Sequence, residues 1–461
     1  MIKVAARLAT VVFACAASGC GGDPSSAPEP TGSASDDAPT STTVAADAAD
    51  VTIVGVDDVA ERFVKLALAI GQHDAAFVDA YHGPESWAKI AETQQRPLEA
   101  LEADARDLLD ILDALGGLAS APPSARTAML RKNIVAALTR IRMARGETLS
   151  FDEETRLLYD VVAPAYDTAE FDAALRDLDA LLPGDAPLNE RVDAFRASLA
   201  IPADKLDAVF DAAIAECRKR SLAHYDMPDT ERFSTEFVTD KPWSGYNWYQ
   251  GDYESLIQVN TDFPVIIDRA VDLGCHEGYP GHHMWNVFIE RDLLEQNGWI
   301  EYSVYPLFSP QSLIAEGSAN YGIELAFPGD EKIAFERDVL FPLAGLDPAR
   351  AETLEKLNKA RSKLSHARNH VARRYLDGEI DREQAIVETM KYSLVSRERA
   401  EQSTRFVETY RGYVVNYNLG LDLVRDYVER SVDGGQSSWD AFAAILTAPT
   451  SASDLVADDA E

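Results

Sequence analysis

The stretch VIIDRAVDLGCHEGYPGHH, residues 265–283, decides how this chain is interpreted. Residues 265–273 are an apolar helical run, and the rest places three of the chain's eight histidines within eight residues, beside an acid. Neutral imidazole is a preferred zinc ligand, and a carboxylate next to a ligand histidine can reach water at the metal. The pattern therefore predicts a zinc site at the end of a helix.

The second histidine ligand depends on the proline in this stretch. In the His-Glu-x-x-His pattern of zinc peptidases, the second histidine lies one helical turn after the first, but Pro280 stands at that position after His276. On an unbroken helix His282 would be rotated by about 240° from His276, and His283 would lie roughly 10 Å along the axis. A kink at the proline-glycine step removes this conflict. We expect His282 to be the second ligand, with His283 as the alternative and otherwise as a supporting residue.

The segment His276-Glu277-x-x-Pro-Gly-His-His resembles the signature of the bacterial domain-of-unknown-function 885 family, which is regarded as metallopeptidase-like. A second family motif, Glu-Gly-x-Ala-x-Tyr, matches residues 316–321, and a third, near the C-terminus, is similar to residues 410–420. The resemblance spans about residues 57–440. It implies a mainly α, large multi-helix metallopeptidase-like fold with a small β-sheet at the active-site cleft.

A zinc site with two histidines needs a third protein ligand and one open position for water. Glu316 opens a predicted helical stretch 34 residues after His282. We expect Glu316 to be that ligand and Asn320, one turn on, to orient it. The competing interpretation is a surface glutamate at a helix start, where the helix dipole favours an acid.

The remaining roles follow as hypotheses. Glu277 is the candidate general base, and Tyr417 is the candidate donor to the oxyanion. Arg411 and Tyr413 stand where the family commonly has Pro and Gln, and we assign both to substrate binding, Arg411 through a bidentate contact with a carboxylate. Residues 255–260 are predicted to form the sheet edge that pairs with an extended peptide.

Helical periodicity dominates the chain beyond residue 57. The apolar stripes cover residues 59–70, 101–115, 130–141 and 354–375. Only residues 255–260 form a clear strand pattern. We predict one helical domain over 57–461, with an N-terminal lobe at 57–235 and a motif-bearing lobe at 236–445.

The N-terminal residues have the pattern of a targeting signal. A charged start, a short apolar run and small residues before Cys20 predict a lipoprotein signal peptide at 1–19, with Cys20 lipidated. Residues 20–56 are rich in Ala, Ser, Thr and Pro and predict a disordered linker. The protein is then exported and anchored to the cell envelope, in the periplasm or at the cell surface.

With 43 Lys and Arg against 77 Asp and Glu, the net charge of −34 excludes nucleic acid as a favourable partner.

Two further clusters have alternative interpretations. Basic residues between 126 and 145 are either paired with acidic helices or form a positive wall for an anionic substrate group. His366 and His370 have metal-binding spacing, but Arg368 between them would repel a cation, so a structural pair is expected. Cys275 is expected to be a small buried residue, with a disulfide to Cys217 as the alternative.

The leading hypothesis is an exported, lipid-anchored, zinc-dependent hydrolase, a peptidase that acts on a peptide or small amide. The membrane is a partner only through the lipid. One alternative is a non-catalytic helical binding lipoprotein with a vestigial histidine cluster. The other is the same metal site acting on a non-peptide amide or ester.

Overall fold

The computed structural model describes residues 55–118, 122–241 and 243–457. The predicted signal peptide at 1–19, the lipidation site Cys20 and the predicted linker up to residue 54 lie outside the described residues. None of the helices in the described ranges combines the length and the apolar character needed to cross a membrane.

The fold is mainly α, as the periodicity and the family resemblance predict. The helices are α1 (Val56–Gly71), α2 (Glu85–Gln94), α3 (Leu98–Leu118), α4 (Ala125–Ala144), α5 (Phe151–Tyr159), α6 (Thr168–Leu181), α7 (Leu188–Ala197), α8 (Leu206–Ser221), α9 (Asp268–Leu273), α10 (His282–Phe288), α11 (Pro310–Ala326), α12 (Glu331–Phe335), α13 (Phe341–Ala344), α14 (Ala351–Ser362), α15 (Ala367–Leu376), α16 (Arg382–Ser393), α17 (Arg397–Tyr410), α18 (Val415–Asp433), α19 (Ser438–Leu446) and α20 (Ala452–Leu455). The strands are β1 (Val78–Tyr81), β2 (Arg232–Val238), β3 (Gly245–Tyr249), β4 (Glu254–Asn260) and β5 (Val304–Pro306).

The apolar stripe of the first helix illustrates why these elements form. In α1, Val59, Phe63, Leu66 and Ile70 recur at helical spacing, and all four are buried. Burial of each such side chain contributes about 1.5–3 kcal/mol relative to exposure. They join α3, α4, α11 and α18 in one hydrophobic core, which brings elements from both ends of the described chain together.

The apolar stripe at 354–375 predicts one long helix, and this prediction is wrong, because the chain breaks between α14 and α15. At this point Leu364 and Ser365 donate their N–H groups to residues three positions back, Arg361 and Ser362, rather than four. The carbonyl oxygen of Ser365 accepts a hydrogen bond of 2.8 Å from the side chain of Asn418. Tighter backbone hydrogen bonds and an external side-chain donor thus replace the α-helical pattern locally.

The strand predicted at 255–260 is confirmed as β4, but its predicted position at the sheet edge is wrong. β4 lies in the middle of a three-stranded sheet of order β2-β4-β3, parallel to β2 and antiparallel to β3. In the described part of the chain β2 and β3 each pair only with β4, so both are edge strands, and β3 is the one that lines the cavity along its whole length. A separate pair, β1 and β5, is antiparallel.

Helices α11 and α18 pack backbone to backbone through two glycines. A Cβ atom at Gly317 would lie 2.5 Å from backbone atoms of Gly420, and one at Gly420 would lie 2.8 Å from the carbonyl oxygen of Leu313. Real Cβ atoms do not approach this closely, so only glycine fits at both positions. The contact holds Glu316 on α11 near Tyr417 on α18.

The basic cluster between residues 126 and 145 is paired with acids, so the interpretation as a substrate-binding wall is wrong. Each cation of the cluster has at least one carboxylate partner: Arg126 with Asp57 and Glu301, Arg131 with Asp113, Lys132 with Asp160, Arg140 with Asp74, Arg142 with Glu147, and Arg145 with Glu99 and Glu102.

Candidate metal centre

The helix that carries the histidine motif changes its winding at the motif. α9 ends at Leu273, and the chain continues as a π-helix over Gly274–Gly278. It then turns through Tyr279 and a cis-Pro280, and α10 begins at His282. Extra residues in a helical turn rotate the following side chains relative to the preceding ones. The interruption expected at the proline-glycine step is therefore present.

Gly281 is required for this turn. Its N–H donates to the carbonyl oxygen of Cys275 at 3.0 Å, and a Cβ atom at this position would lie 1.8 Å from the carbonyl oxygen of His276. No other residue fits there. The close approach brings the first residue of α10 back over the end of the π-helix, so that His282 returns to the side of His276.

The structure brings His276, His282 and Glu316 together. The Nε2 atom of His276 lies 3.3 Å from Oε2 of Glu316, and the Nε2 atom of His282 lies 3.7 Å from the same oxygen. The two imidazole rings are nearly perpendicular, at 86°, with centroids 4.6 Å apart. One ligand atom from each residue lies within 4.8 Å of the others.

Glu316 is buried and sits in the middle of α11, not at a helix start as predicted from the sequence. Its Oε1 accepts a hydrogen bond of 2.9 Å from the Tyr413 hydroxyl, and its Oε2 has no hydrogen-bond partner. Burial alone would raise the pKa of Glu316, but the neighbouring His276 and His282 outweigh burial and hold the pKa well below its ordinary value. A buried, ionised oxygen that faces two imidazole nitrogens suits a divalent cation.

Asn320 orients His276 rather than Glu316. Its Oδ1 lies 3.0 Å from Nδ1 of His276, and its Nδ2 donates to the carbonyl oxygen of Tyr417 at 2.9 Å. Because the amide oxygen can only accept, Nδ1 of His276 carries a proton, and the ring is held with Nε2 on the side of Glu316, where that nitrogen can serve as a metal ligand.

His283 lies outside the cluster. It is fully buried, with Nδ1 2.8 Å from the Ser255 hydroxyl and Nε2 2.9 Å from Oε1 of Glu231. Both ring nitrogens are therefore used in anchoring α10 to β4 and to the residue before β2. Of the two histidines left open by the sequence, the structure places His282 beside Glu316.

A disulfide lies directly beside the site. Cys217 on α8 is bonded to Cys275, the residue before His276. Of the two interpretations of Cys275, the structure has the disulfide to Cys217, and the side chain is also buried as the first interpretation expected. The bond ties the π-helix to α8.

Glu277 is buried and points toward β3. A Cβ atom at Gly245 would lie 2.9 Å from Oε1 of Glu277, so glycine leaves the room that this carboxylate occupies. The carbonyl oxygen of Glu277 accepts a hydrogen bond of 2.7 Å from the Asn247 side chain. These contacts fix Glu277 against the strand.

One cavity of about 1800 Å³ connects these groups. His276, Glu277, His282 and Glu316 line it, together with all of β3. This volume exceeds the roughly 300–1,000 Å³ of most small-ligand pockets and is enough for a peptide.

Tyr413 and Tyr417, two tyrosines of the third motif at the cavity, differ in whether their hydroxyl groups are already hydrogen-bonded. Tyr413 lines the cavity but uses its hydroxyl on Glu316. Tyr417 also lines the cavity, and its hydroxyl has no partner among the described residues. Burial and the nearby Glu316 raise the pKa of Tyr417 well above its ordinary value, so it remains a neutral donor.

Arg411 does not line the cavity. Its Nε donates to Oε2 of the buried Glu154 at 2.7 Å, and its backbone has a φ of +52°. Glu154 also accepts the N–H of Gly412. Arg411 therefore holds the start of the segment before α18, away from the site.

Asp79 and Arg368 are charged residues of the cavity wall that sequence reasoning did not assign to the site. Asp79 on β1 accepts a hydrogen bond from the Tyr246 hydroxyl, and burial raises the pKa of Asp79 despite that bond and the nearby His282. Arg368 on α15 also lines the cavity. The sequence signal for Arg368 is a cation that adjoins Ala367 and lies three positions before Val371, both in the apolar stripe, whereas its sequence-based interpretation was only that of a neighbour of two histidines.

No family model matches the chain, and no curated protein is significantly similar to it. Among solved structures, one described as a "putative lipoprotein" from Colwellia psychrerythraea has a TM-score of 0.49 and 12% identity, over 88% of this chain and 76% of that one. An M32 carboxypeptidase from Deinococcus radiodurans R1 has a TM-score of 0.34 and 14% identity, over 84% of this chain and 87% of that one. These similarities concern the backbone fold alone.

Proposed function

We propose that this protein is a metal-dependent hydrolase that cleaves peptides, with a cation held by His276, His282 and Glu316. The observation that carries the proposal is the convergence of two imidazole nitrogens on a buried glutamate oxygen that has no hydrogen bond of its own. Two imidazoles and one carboxylate are the ligand set of many catalytic zinc sites. Zinc is therefore the proposed metal.

A zinc ion in such a site would polarise a carbonyl group and increase the acidity of water. The protein's own residues supply the rest of the chemistry. Glu277, fixed against β3, accepts the proton of the attacking water and passes it to the leaving amine. The Tyr417 hydroxyl donates to the oxyanion that develops on the substrate carbonyl. Tyr413 and Asn320 hold Glu316 and His276 in place.

The free edge of β3 supports a peptide as substrate. Ser244 and Gln250 face their β4 partners in hydrogen-bonded pairs, since Asn260 donates to Ser244 and Gln250 donates to Glu254. Because alternate residues of a strand point to opposite edges, the backbone groups of Gly245, Asn247 and Tyr249 point away from β4. All three residues line the cavity. An extended peptide would pair there by strand addition.

The proposal includes export and lipid anchoring at Cys20. Support comes from the signal pattern in the sequence and from the disulfide between Cys217 and Cys275, because disulfides persist mainly in oxidising compartments outside the cytosol. Membership of the domain-of-unknown-function 885 family remains part of this proposal, supported by the motif residues that surround the cavity.

Peptide digestion tests the proposed function. The soluble form that begins after Cys20, loaded with zinc, is incubated with a mixed peptide library, and products are read by mass spectrometry. We expect cleavage by the unchanged chain and a loss of about 10²–10⁴-fold in Glu277→Gln, the usual range for removal of a general base. Glu355→Gln, a carboxylate of the same cavity outside the cluster, is the matched control and should cleave normally.

Three outcomes contradict the proposal. Turnover that persists in Glu277→Gln would remove the assigned base. A zinc-loaded chain that leaves every peptide intact but hydrolyses simple amides or esters would move the activity to non-peptide substrates. A folded chain that takes up no zinc yet binds peptides would favour a binding lipoprotein.

A further inference from the structure

Arg368 is a half-buried cation that has no ion-pair partner among the described residues. It lies in the wall of the cavity, and its Nε atom is buried without a hydrogen bond. Within the described ranges its guanidinium forms no ion pair. Burial lowers the pKa of Arg368 from its ordinary value, while the nearby Tyr417 and Glu316 act against this shift.

Of the five arginines in the cavity wall, Arg196 and Arg269 pair with acids, whereas Arg361, Arg368 and Arg399 have no carboxylate partner within the described ranges. The guanidinium of Arg196 lies 3.0 Å from the carboxylate of Asp268, and that of Arg269 lies 3.5 Å from Asp272. An arginine removed from water normally pairs with an acid because an uncompensated buried charge is costly. Within the described ranges no acid forms an ion pair with Arg368, and Glu316 acts on it only from a greater distance, so its N–H donors are available to a carboxylate from outside the protein.

The neighbours of Arg368 place it close to the metal cluster. Its guanidinium carbon lies 4.8 Å from the ring centroid of Phe406 and 5.7 Å from that of Tyr417. Tyr417 in turn accepts, through its carbonyl oxygen, the hydrogen bond from the Asn320 side chain, which also holds His276. The two aromatic rings support the guanidinium plane without using its N–H donors.

Arg361 provides a contrast within the same wall. It also lacks a carboxylate partner, but its Nη2 lies 3.4 Å from the carbonyl oxygen of Ser393, and burial together with the charge of Arg196 lowers its pKa to about 10. The charges that act on Arg361 come from other arginines and from Asp268, whereas those that act on Arg368 come from Tyr417 and Glu316. Arg368 is thus the unpaired cation that lies next to the catalytic groups.

We propose that Arg368 binds the free C-terminal carboxylate of the peptide substrate, so that the enzyme removes residues from the C-terminal end. The inference rests on the proposed function and adds its substrate class. A guanidinium presents a planar fork of N–H donors that matches both oxygens of a carboxylate. Arg368 lies beside Tyr417, the proposed donor to the scissile carbonyl. A carboxylate bound to Arg368 would therefore belong to the residue directly after the scissile bond, which is the residue that is released.

The reaction is a hydrolysis and needs no further reactant. The C–N bond of the last peptide link breaks, the hydroxyl of water joins the carbonyl carbon, and the proton passes through Glu277 to the amine of the released residue. Arg368 forms its ion pair with that same residue before the bond breaks. The bound carboxylate fixes the register of the peptide along β3.

Calorimetric binding tests the inference independently of turnover. The probes are one peptide with a free C-terminus and the same peptide with a C-terminal amide, titrated into zinc-loaded Glu277→Gln, which holds the substrate without cleaving it. We expect the free acid to bind at least ~10-fold more tightly than the amide, as expected when a charge-assisted contact is removed. In the Glu277→Gln background, a second substitution Arg368→Gln should abolish the preference for the free acid over the amide. Arg368→Lys in its place should keep part of that preference.

The control variant is Arg361→Gln in the same background, which should keep the preference for the free acid. Zinc content is measured in each variant, and we expect it to be unchanged in Arg368→Gln. Equal binding of acid and amide overturns the inference, and so does loss of the preference in Arg361→Gln alone. An amidated peptide with an acidic side chain that binds as tightly as the free acid assigns Arg368 to side chains and overturns it as well.

Failure of this inference is distinguishable from failure of the proposed function. If amidated peptides are cleaved internally and Arg368→Gln cleaves them at the normal rate, the hydrolase stands and the C-terminal preference falls. If no peptide is bound or cleaved, the proposed function and the inference fall together.

Discussion

The Oδ1 atom of Asn320 lies 3.0 Å from Nδ1 of His276 and fixes which nitrogen of that ring faces Glu316. The same side chain donates through Nδ2 to the carbonyl oxygen of Tyr417. A single amide thus joins three separate stretches of the chain, namely the histidine motif, α11 and α18. Partners of ligand histidines contribute strongly to metal affinity because they fix the tautomer and the ring orientation.

Replacing Asn320 should therefore weaken metal binding without removing a ligand. We expect Asn320→Ala to lower zinc affinity about 10–100-fold, the usual effect of losing such a partner. Competition with a chelating dye measures the affinity. Asn320→Asp is the matched control, since it keeps an oxygen for His276 but loses the donor to Tyr417, and it should retain most of the affinity. Equal affinities in all three proteins would refute this role.

Gly245 should control the position of the general base. A Cβ atom there would meet Oε1 of Glu277 at 2.9 Å and Cδ2 of Leu273 at 2.7 Å, both at the ends of flexible side chains. We expect Gly245→Ala to fold and to bind zinc normally but to lose about 10²-fold in kcat, the effect of a misplaced catalytic group. Steady-state kinetics with a cleaved peptide measure this. A normal kcat would show that the base is not held against β3.

Gly317 should be essential to the contact between α11 and α18. Alanine at this position would place Cβ 2.5 Å from the backbone of Gly420, which cannot move aside as a side chain can. We expect Gly317→Ala to lower the free energy of unfolding by about 3 kcal/mol or more, in the range of overpacked cores. It should also weaken zinc binding, because Glu316 is the preceding residue.

Gly116→Ala is the control for this change. Gly116 lies in α3, and a Cβ atom there would have no neighbour within 4 Å. Alanine should raise the free energy of unfolding by about 0.5–1 kcal/mol, because glycine is entropically unfavourable in a helix. Urea unfolding measures both variants. Similar stabilities for Gly317→Ala and the unchanged chain would contradict the close packing of the two helices.

Glu231 should make the fold sensitive to acid. Burial raises its pKa, but hydrogen bonds from His283, Tyr279 and Arg218 outweigh burial and lower the pKa to about 2 from an ordinary value of 4.5. A lowered carboxyl pKa contributes stability that is present above about pH 4.5 and is lost as the pH falls towards 2. A difference of this size corresponds to about 3 kcal/mol.

Thermal unfolding between pH 7 and pH 3 measures this effect. We expect Glu231→Gln to have a lower Tm at pH 7 and a flatter decline below pH 4.5 than the unchanged chain. Glu355→Gln serves as the control and should follow the unchanged chain. Parallel curves for Glu231→Gln and the unchanged chain would show that Glu231 is not ionised in this network.

The sequence predicted the helical class, the two histidines and the distant glutamate because each depends on local patterning or on a recognisable motif. The kink at the proline-glycine step followed from backbone chemistry, since proline lacks an N–H and glycine tolerates close approach. Nothing local identified Asp79, because its place beside Tyr246 results from the pairing of β1 with β5 and from the fold of the sheet.

The errors have a common physical origin in tertiary contacts. Arg411 was expected to meet a substrate carboxylate, but it pairs with Glu154, which lies 257 residues away in sequence. The predicted edge strand became central because β2 and β3 both pair with it. The long helix predicted around Leu364 broke because Asn418 takes the Ser365 carbonyl oxygen. Each outcome depends on a partner far away in the chain, which spacing alone cannot reveal.

The most direct test of the central claim is the metal content of the purified soluble form, measured by mass spectrometry after zinc loading and exhaustive dialysis. The account predicts about one zinc per chain, as in mononuclear sites with three protein ligands. It predicts loss of that zinc in His276→Ala, His282→Ala and Glu316→Ala, and full retention in the control His370→Ala. A folded chain without zinc, or zinc that remains after any one of the three ligand substitutions, would contradict it.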